Sequence, residues 1–264
     1  MAILPGTQVV LEKVPELTTV RGFLRAAVMT LGALALALAL LLWLERAWPF
    51  VALLAQLGVY VLLRWMVSGF FRGRKDRVPY AEALFNRFLP AAGLNAASIL
   101  FVLLTTSTLA AAADGSQRFV PLALGAVVAV YLLASAMLLV ARAVQTAGVD
   151  TILGVYVYYP NEGSQLDGPA YSVVRHPLYA ALDRLALAFA LWNGSLLALL
   201  LATLFLAVWH PVWYGIEERE LLDRFGEDYD AYRKRTPAVM PQGLAGERAL
   251  WQSLFGRATQ PSER

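Results

Sequence analysis

The sequence predicts an all-α, polytopic membrane protein of about six membrane segments, ending in a helical hairpin. Three observations carry that reading. The chain of 264 residues is 59% hydrophobic and only 16% charged, whereas soluble domains carry about a quarter charged residues. Its mean hydropathy is +0.57. Its apolar residues come in long runs separated by short polar breaks, and the basic residues collect on alternate breaks. A net charge of +3 is small. In such a chain it suits loop Lys and Arg facing an anionic leaflet, and not nucleic-acid binding. There is no cysteine, which excludes disulfide and thiolate chemistry. Residues 1–20 carry Glu12, Lys13 and Glu16 and no apolar core of signal-peptide length. The last residues form no lipidation box.

A bilayer core of about 30 Å needs roughly 20 apolar residues in helical form. Gly22 to Leu44 meets this with only Arg25 charged. Pro49 to Phe71 follows, interrupted by Gln56 and Arg64. Phe88 to Ala113 and Phe119 to Val144 are the third and fourth segments, rich in the small residues that let membrane helices approach closely. Asp114–Arg118 between them reads as a turn. Residues 145–170 are different in kind. Val155–Pro160 is aromatic and β-branched and reads as an ordered interfacial loop. Leu178 to Trp192 is apolar but short, and Asn193-Gly194-Ser195 turns the chain into a return leg, Leu196 to Trp209. In the tail, Leu250, Trp251, Leu254 and Phe255 fall on one helical face, as in a helix lying on a bilayer; a flexible tail is the alternative.

The expected organisation is therefore an N-terminal four-helix membrane region (1–145), a functional core (146–241) and an interfacial or flexible tail (242–264). Placing the N-terminus in the cytoplasm puts Lys13, Arg21, Arg25, Arg72, Arg74, Lys75, Arg77, Arg87, Arg142 and Arg175 inside, and only Arg46 and Arg118 outside. The positive-inside rule then predicts both termini in the cytoplasm. It also brings two distant polar clusters to one membrane face.

The first cluster is Gly168–Tyr179, which contains Tyr171, Arg175, His176, Pro177 and Tyr179. Pro177 keeps His176 out of the α region and opens the next helix at its first turn. Arg175 as a phosphate-binding anchor and His176 as a helix cap is the plain structural alternative. The second cluster follows the hairpin. At helical spacing His210, Tyr214 and Glu217 or Glu218 share a face, and Arg219 sits beside them. Pro211 is expected to kink this helix. Gly226 should stop it, and Tyr229 and Tyr232 lie three apart on a second short helix. A solvated helix end with two packing tyrosines is the plain alternative here. Asp183 and Arg184 stand inside the short hairpin helix, where charges are costly and are functional or paired. Being adjacent, they point about 100° apart.

Taken together, Gly-Pro-x-Tyr-x-x-Val-Arg-His-Pro-x-Tyr, a hairpin, and Glu-Glu-Arg-x-Leu-x-x-x-Phe-Gly-x-x-Tyr-x-x-Tyr with Pro241 beyond resemble the isoprenylcysteine carboxyl methyltransferase and phospholipid N-methyltransferase superfamily of integral membrane enzymes. The resemblance covers about residues 150–241. It implies a cytoplasmic S-adenosylmethionine pocket with no soluble Rossmann domain, and the chain carries no Gly-x-Gly-x-x-Gly after a strand. It further implies cofactor contacts from Tyr171, His176, Pro177, Tyr179, His210, Glu217 and Glu218. Catalytic or substrate-binding roles fall to Arg175, Arg219, Asp183 and Arg184. The implied acceptor is a lipid or prenylated molecule entering from the bilayer. A carboxylate acceptor would use Arg175, Arg184 or Arg219 as a clamp; an amine would use His210 or Asp183 to take a proton. Family members often carry glycine where this chain has Ala181, whose methyl would narrow the approach to the cofactor. Two rivals remain open: an NADPH-dependent membrane sterol or lipid reductase with a similar C-terminal motif, and a non-catalytic membrane protein that keeps the fold.

Overall fold

The computed structural model describes residues 4–105, 121–164 and 168–256. The expected Asp114–Arg118 turn and the adjoining ends of the third and fourth segments lie outside them. In chain order the helices are α1 (Thr7–Lys13), α2 (Val20–Ala47), α3 (Pro49–Gly73), α4 (Tyr80–Leu104), α5 (Leu122–Ile152), α6 (Val155–Tyr158), α7 (Pro177–Asn193), α8 (Leu196–Arg235) and α9 (Gly243–Phe255). The described residues contain no strand. Five of these helices, α2, α3, α4, α5 and α8, are long and apolar enough to cross a membrane. The sixth expected segment, α7, has 17 residues, about 25 Å of helix.

The spans pack through small residues and a few buried polar pairs. A side chain at Gly93 of α4 would collide with the Thr30 carbonyl of α2, so glycine sets how closely these two helices run. Between α3 and α4, Gln56 donates to Ser98 at 2.8 Å. The indole of Trp209 on α8 donates to Asn95 of α4 at 2.7 Å and lies flat against the Tyr60 ring of α3 at 5.9 Å. Such bonds answer polar groups that lipid cannot satisfy. They fix α8 against the bundle before it leaves the apolar region.

The hairpin turn forms as the sequence implies. Gly194 takes a left-handed conformation after α7, and the Ser195 hydroxyl accepts from Ala198 N–H to start α8. The Asn193 amide donates to the Leu103 and Thr105 carbonyls at the end of α4. It therefore serves as a clip between α4 and α7.

Four features depart from simple helices. The π-helical turn on α8 is at Phe205–Trp209, just before Pro211; proline at 211 removes a helical donor there, so the ladder widens. A second π turn, Leu84–Phe88, interrupts α4. Within α5, Gly148 sits at φ 75°. The N-terminal segment enters this break, and Val149 N–H donates to the Pro5 carbonyl at 2.8 Å. Within α8, Gly226 at φ 58° and ψ −129° separates the helical residues before it from 227–235, in a region open essentially to glycine alone. The expected stop at Gly226 is thus a re-aiming joint.

The tail also differs from a helix laid on lipid. α9 forms, but Leu250 and Leu254 are fully buried against Ala136 and Leu139 of α5, Val174, and Ala180 and Ala181 of α7. Only Trp251 and Phe255, stacked at 5.6 Å, remain on the outer side. Arg142 of α5 donates to the Leu254 carbonyl at 2.8 Å, satisfying the free carbonyls at the α9 C-terminus.

Candidate functional site

The two polar clusters meet. The segment after α8 returns alongside the start of α7: Arg175 N–H donates to the Pro237 carbonyl and His176 N–H to the Ala238 carbonyl, both at 2.9 Å. Pro177 is the first residue of α7. These constraints aim the Arg175, His176 and Tyr179 side chains at α8, where Glu217 and Glu218 wait.

Arg175 donates through Nε to Glu218 Oε1 at 2.9 Å, and its Nη2 pairs with the same oxygen. Its Nη1 donates to the carbonyls of Arg233 and Thr236. All the arms of this guanidinium hold protein groups, so Arg175 joins the parts of α8 before and after Gly226 and the start of the returning segment at Thr236. His176, 6% exposed, places Nε2 at 3.2 Å from Glu218 Oε1 and Nδ1 at 4.0 Å from Glu217 Oε2. It makes no cap hydrogen bond to α7, so the cap alternative is overturned. Tyr179 donates its hydroxyl to Glu217 at 2.5 Å. The Glu217 side chain keeps 29% of its surface open, against 11% for Glu218. Glu218 is therefore the inner carboxylate and Glu217 the outer one.

Aromatic faces line this pair. The His176 ring stacks between Tyr179 at 5.4 Å and Tyr214 at 5.6 Å. Tyr179 in turn touches His210 at 5.5 Å and Trp213 at 5.9 Å. The helical spacing of His210, Tyr214 and Glu218 is thus borne out as one inward face of α8. Tyr232, beyond the joint, donates to the Tyr171 carbonyl at 2.6 Å and packs edge-on against Tyr229 at 5.9 Å. This ties the Tyr171 loop over the outer end of the cluster. Burial, and then the nearby Glu217 carboxylate, push the Tyr171 hydroxyl well above its ordinary range. It stays a neutral donor at any physiological pH.

Asp183 and His210 form a second, deeper contact one turn inward from Tyr179. His210 Nδ1 meets Asp183 Oδ1, with both residues almost fully buried. His210 Nε2 has no hydrogen-bond partner among the described residues, and the ring lies 4.3 Å from that of Phe205.

Two expected members are elsewhere. Arg184 turns about a third of a revolution from Asp183 and leaves the cluster. It pairs with Glu247 of α9 at 2.6 Å and donates to Ser135 of α5 at 3.0 Å. Adjacent charges that cannot share a face reach different helices, as the 100° step requires. Arg219 is exposed and makes no hydrogen bond or ion pair among the described residues. Ala181 is also not the floor of the cluster. Its methyl is buried on the α5 and α9 side with Leu250 and Leu254, so it narrows nothing at Glu217. Sequence reasoning missed Trp213, which closes the aromatic row, and Glu247, whose only signal was its place on the polar side of a short amphipathic helix.

Searches of curated proteins and of solved structures gave no match. A family model described as phospholipid methyltransferase matches residues 124–228. The match starts inside α5, earlier than the sequence motifs, and ends before Tyr229. It includes Arg175, His176, the α7–α8 hairpin, Glu217 and Glu218. Over those residues, which hold most of this cluster, the chain is similar to the phospholipid methyltransferase family.

Proposed function

We propose that the chain is an S-adenosylmethionine-dependent membrane methyltransferase acting on a lipid-like or prenylated acceptor, with the cofactor at the Glu217 edge of the cluster. The observation that carries the reading is the convergence of Arg175, His176 and Tyr179 on Glu217 and Glu218. The residues fit such a cofactor. A partly open carboxylate beside stacked aromatic faces suits a cation, and His210 Nε2 is a buried polar atom with no hydrogen-bond partner among the described residues.

When bound, S-adenosylmethionine supplies a methyl group on a positively charged sulfur. Glu217 and the faces of Tyr179, His176 and Tyr214 favour that charge. Arg175 and His176 hold Glu218, and through it fix where α8 presents Glu217. Tyr171, kept neutral, offers a hydroxyl donor. Trp209, Trp213 and Phe205 exclude water from the inner side, as a displacement between two positioned reactants requires. Asp183 or His210 would take the proton of an amine acceptor. Arg219, free at the surface, is the cation most available to a carboxylate or phosphate on an arriving molecule. Positive-inside charge supports a cytoplasmic cluster with both termini on that side.

The test is incubation of purified protein with labelled S-adenosylmethionine and a total lipid extract. A labelled lipid product made by the intact protein and lost in Glu217→Gln is expected. Cofactor binding with no labelled lipid from any extract would refute the enzyme reading.

A further inference from the structure

A second charged site lies away from this cluster, around the start of α2. Glu16, Thr19, Arg21, Gly22 and Arg25 line a cavity of about 440 Å³. A smaller cavity of about 190 Å³ is lined by Trp65, Val78, Glu82, Asn86 and Arg87. The two are bridged, since Arg25 donates to Asn86 at 3.4 Å while its guanidinium lies 4.3 Å over the Phe85 ring. Arg25 also contacts Glu16 at 3.3 Å. Arg87 lies over Trp65 at 5.2 Å, and a side chain at Gly69 would collide with its Nη1. Gly69 is thus what lets Arg87 lie across α3.

Three guanidinium groups here face two carboxylates, so the site is one positive charge in excess. Arg21 and Arg25 are four residues apart and share one face of α2. Arg21 is exposed and has no hydrogen bond or ion pair among the described residues. The rim is of the opposite kind: Val20, Phe23, Leu24 and Trp65 are all large, apolar and more than half exposed. Val20, Phe23 and Leu24 stand at the start of one candidate membrane span, and Trp65 lies within the next. A free anion in water would need the arginines and have no use for that rim. A phosphate diester carrying acyl chains uses both, since guanidinium forks match phosphate oxygens and basic residues at a span's end attract lipid headgroups.

We propose that the Arg21–Arg25 cavity binds the phosphate of a membrane lipid headgroup, with the acyl chains along Val20, Phe23 and Leu24. The site is separate from the Glu217 cluster and stands whether or not that cluster is a methyltransferase centre.

The test uses the full chain in neutral detergent, with a short-chain anionic phospholipid titrated by native mass spectrometry. Arg21 has no internal partner to lose, so Arg21→Ala leaves the fold intact. It should weaken lipid retention about fivefold. Arg21→Ala with Arg25→Ala should weaken it further, while Arg21→Lys, which keeps the charge and loses the fork, should fall between wild type and Arg21→Ala. Unchanged retention in Arg21→Ala would overturn the proposal. A competition arm separates the sources of phosphate: millimolar inorganic phosphate should displace the lipid poorly. Displacement by inorganic phosphate as effective as by unlabelled lipid would assign the cavity to a free anion and overturn the lipid assignment.

Discussion

One oxygen of Glu218 receives both the Arg175 guanidinium and the His176 ring, residues 43 and 42 positions earlier in the chain. A carboxylate with 11% of its side chain exposed, held by a guanidinium with 9% exposed, is tolerable only while both partners are present. Removing Arg175 strands the charge. Arg175→Ala should lower stability by about 3 kcal/mol, read as a fall in melting temperature on the order of 10 °C. Arg175→Ala combined with Glu218→Gln should recover part of that loss, because the stranded charge is gone. Purely additive losses would show that the pair is not coupled.

Tyr179 donates to Glu217, the more open carboxylate. Tyr179→Phe keeps the ring stacked on His176 and deletes only the donor. Hydrogen bonds to charged groups are worth about 1.5–3 kcal/mol. Loss of this one should therefore lower the melting temperature by several degrees, and S-adenosylhomocysteine affinity, measured by calorimetry in detergent, should fall with it because Glu217 loses the group that holds it. A large melting shift without an affinity change would make the bond structural.

Gly226 adopts φ 58° and ψ −129° with open space where a side chain would stand. Gly226→Ala therefore meets backbone strain alone, about 1–3 kcal/mol. The strain should act on the placement of Tyr229 and Tyr232, and so on the Tyr171 loop. Faster protease cleavage around residues 226–241 is the expected readout. Cleavage at the wild-type rate would mean that the joint tolerates a side chain.

The α9 helix is held by Glu247, which accepts from Arg184 at 2.6 Å and from the Tyr131 hydroxyl at 2.6 Å. Burial alone would raise this carboxyl, but the bonds from Arg184 and Tyr131 outweigh it and hold it below the usual glutamate value of 4.5. The folded state thus binds this proton less readily than the unfolded state does. The stabilisation is complete above the ordinary glutamate pKa and is lost as pH falls through the lowered folded value. Trp251, whose indole donates to Tyr131 at 2.7 Å, reports on the contact. Its emission should hold steady above the ordinary glutamate pKa and shift only as pH falls below it. In Glu247→Gln the acid shift should be absent. A wild-type transition centred above pH 5 would contradict the assignment.

The all-helical membrane architecture was legible because apolar runs, breaks and charge placement obey the bilayer's requirements directly. The Arg175–His176–Pro177 segment and Glu217–Glu218 were legible for a related reason: proline and helical spacing fix backbone direction locally. What was hidden depended on tertiary packing. The α9 face bearing Leu250 and Leu254 reads the same from sequence whether it meets lipid or α5 and α7. The placing of Arg184 depended on Glu247, a residue 63 positions away whose polar place on α9 did not say which helix it would meet. Likewise the 100° step between Asp183 and Arg184 was calculable, but which helix each would meet was not. Nor could spacing show that Arg175 would be fully engaged by carbonyls at 233 and 236.

The central claim is that the Arg175–His176 loop and the Glu217–Glu218 face of α8 form one cofactor site. Calorimetric titration of the purified protein with S-adenosylhomocysteine, alongside His176→Ala at matched melting temperature, tests it most directly. Saturable one-to-one binding by the wild type, abolished in His176→Ala, is the predicted result. No measurable binding by the intact protein, or equal binding by the variant, would contradict it.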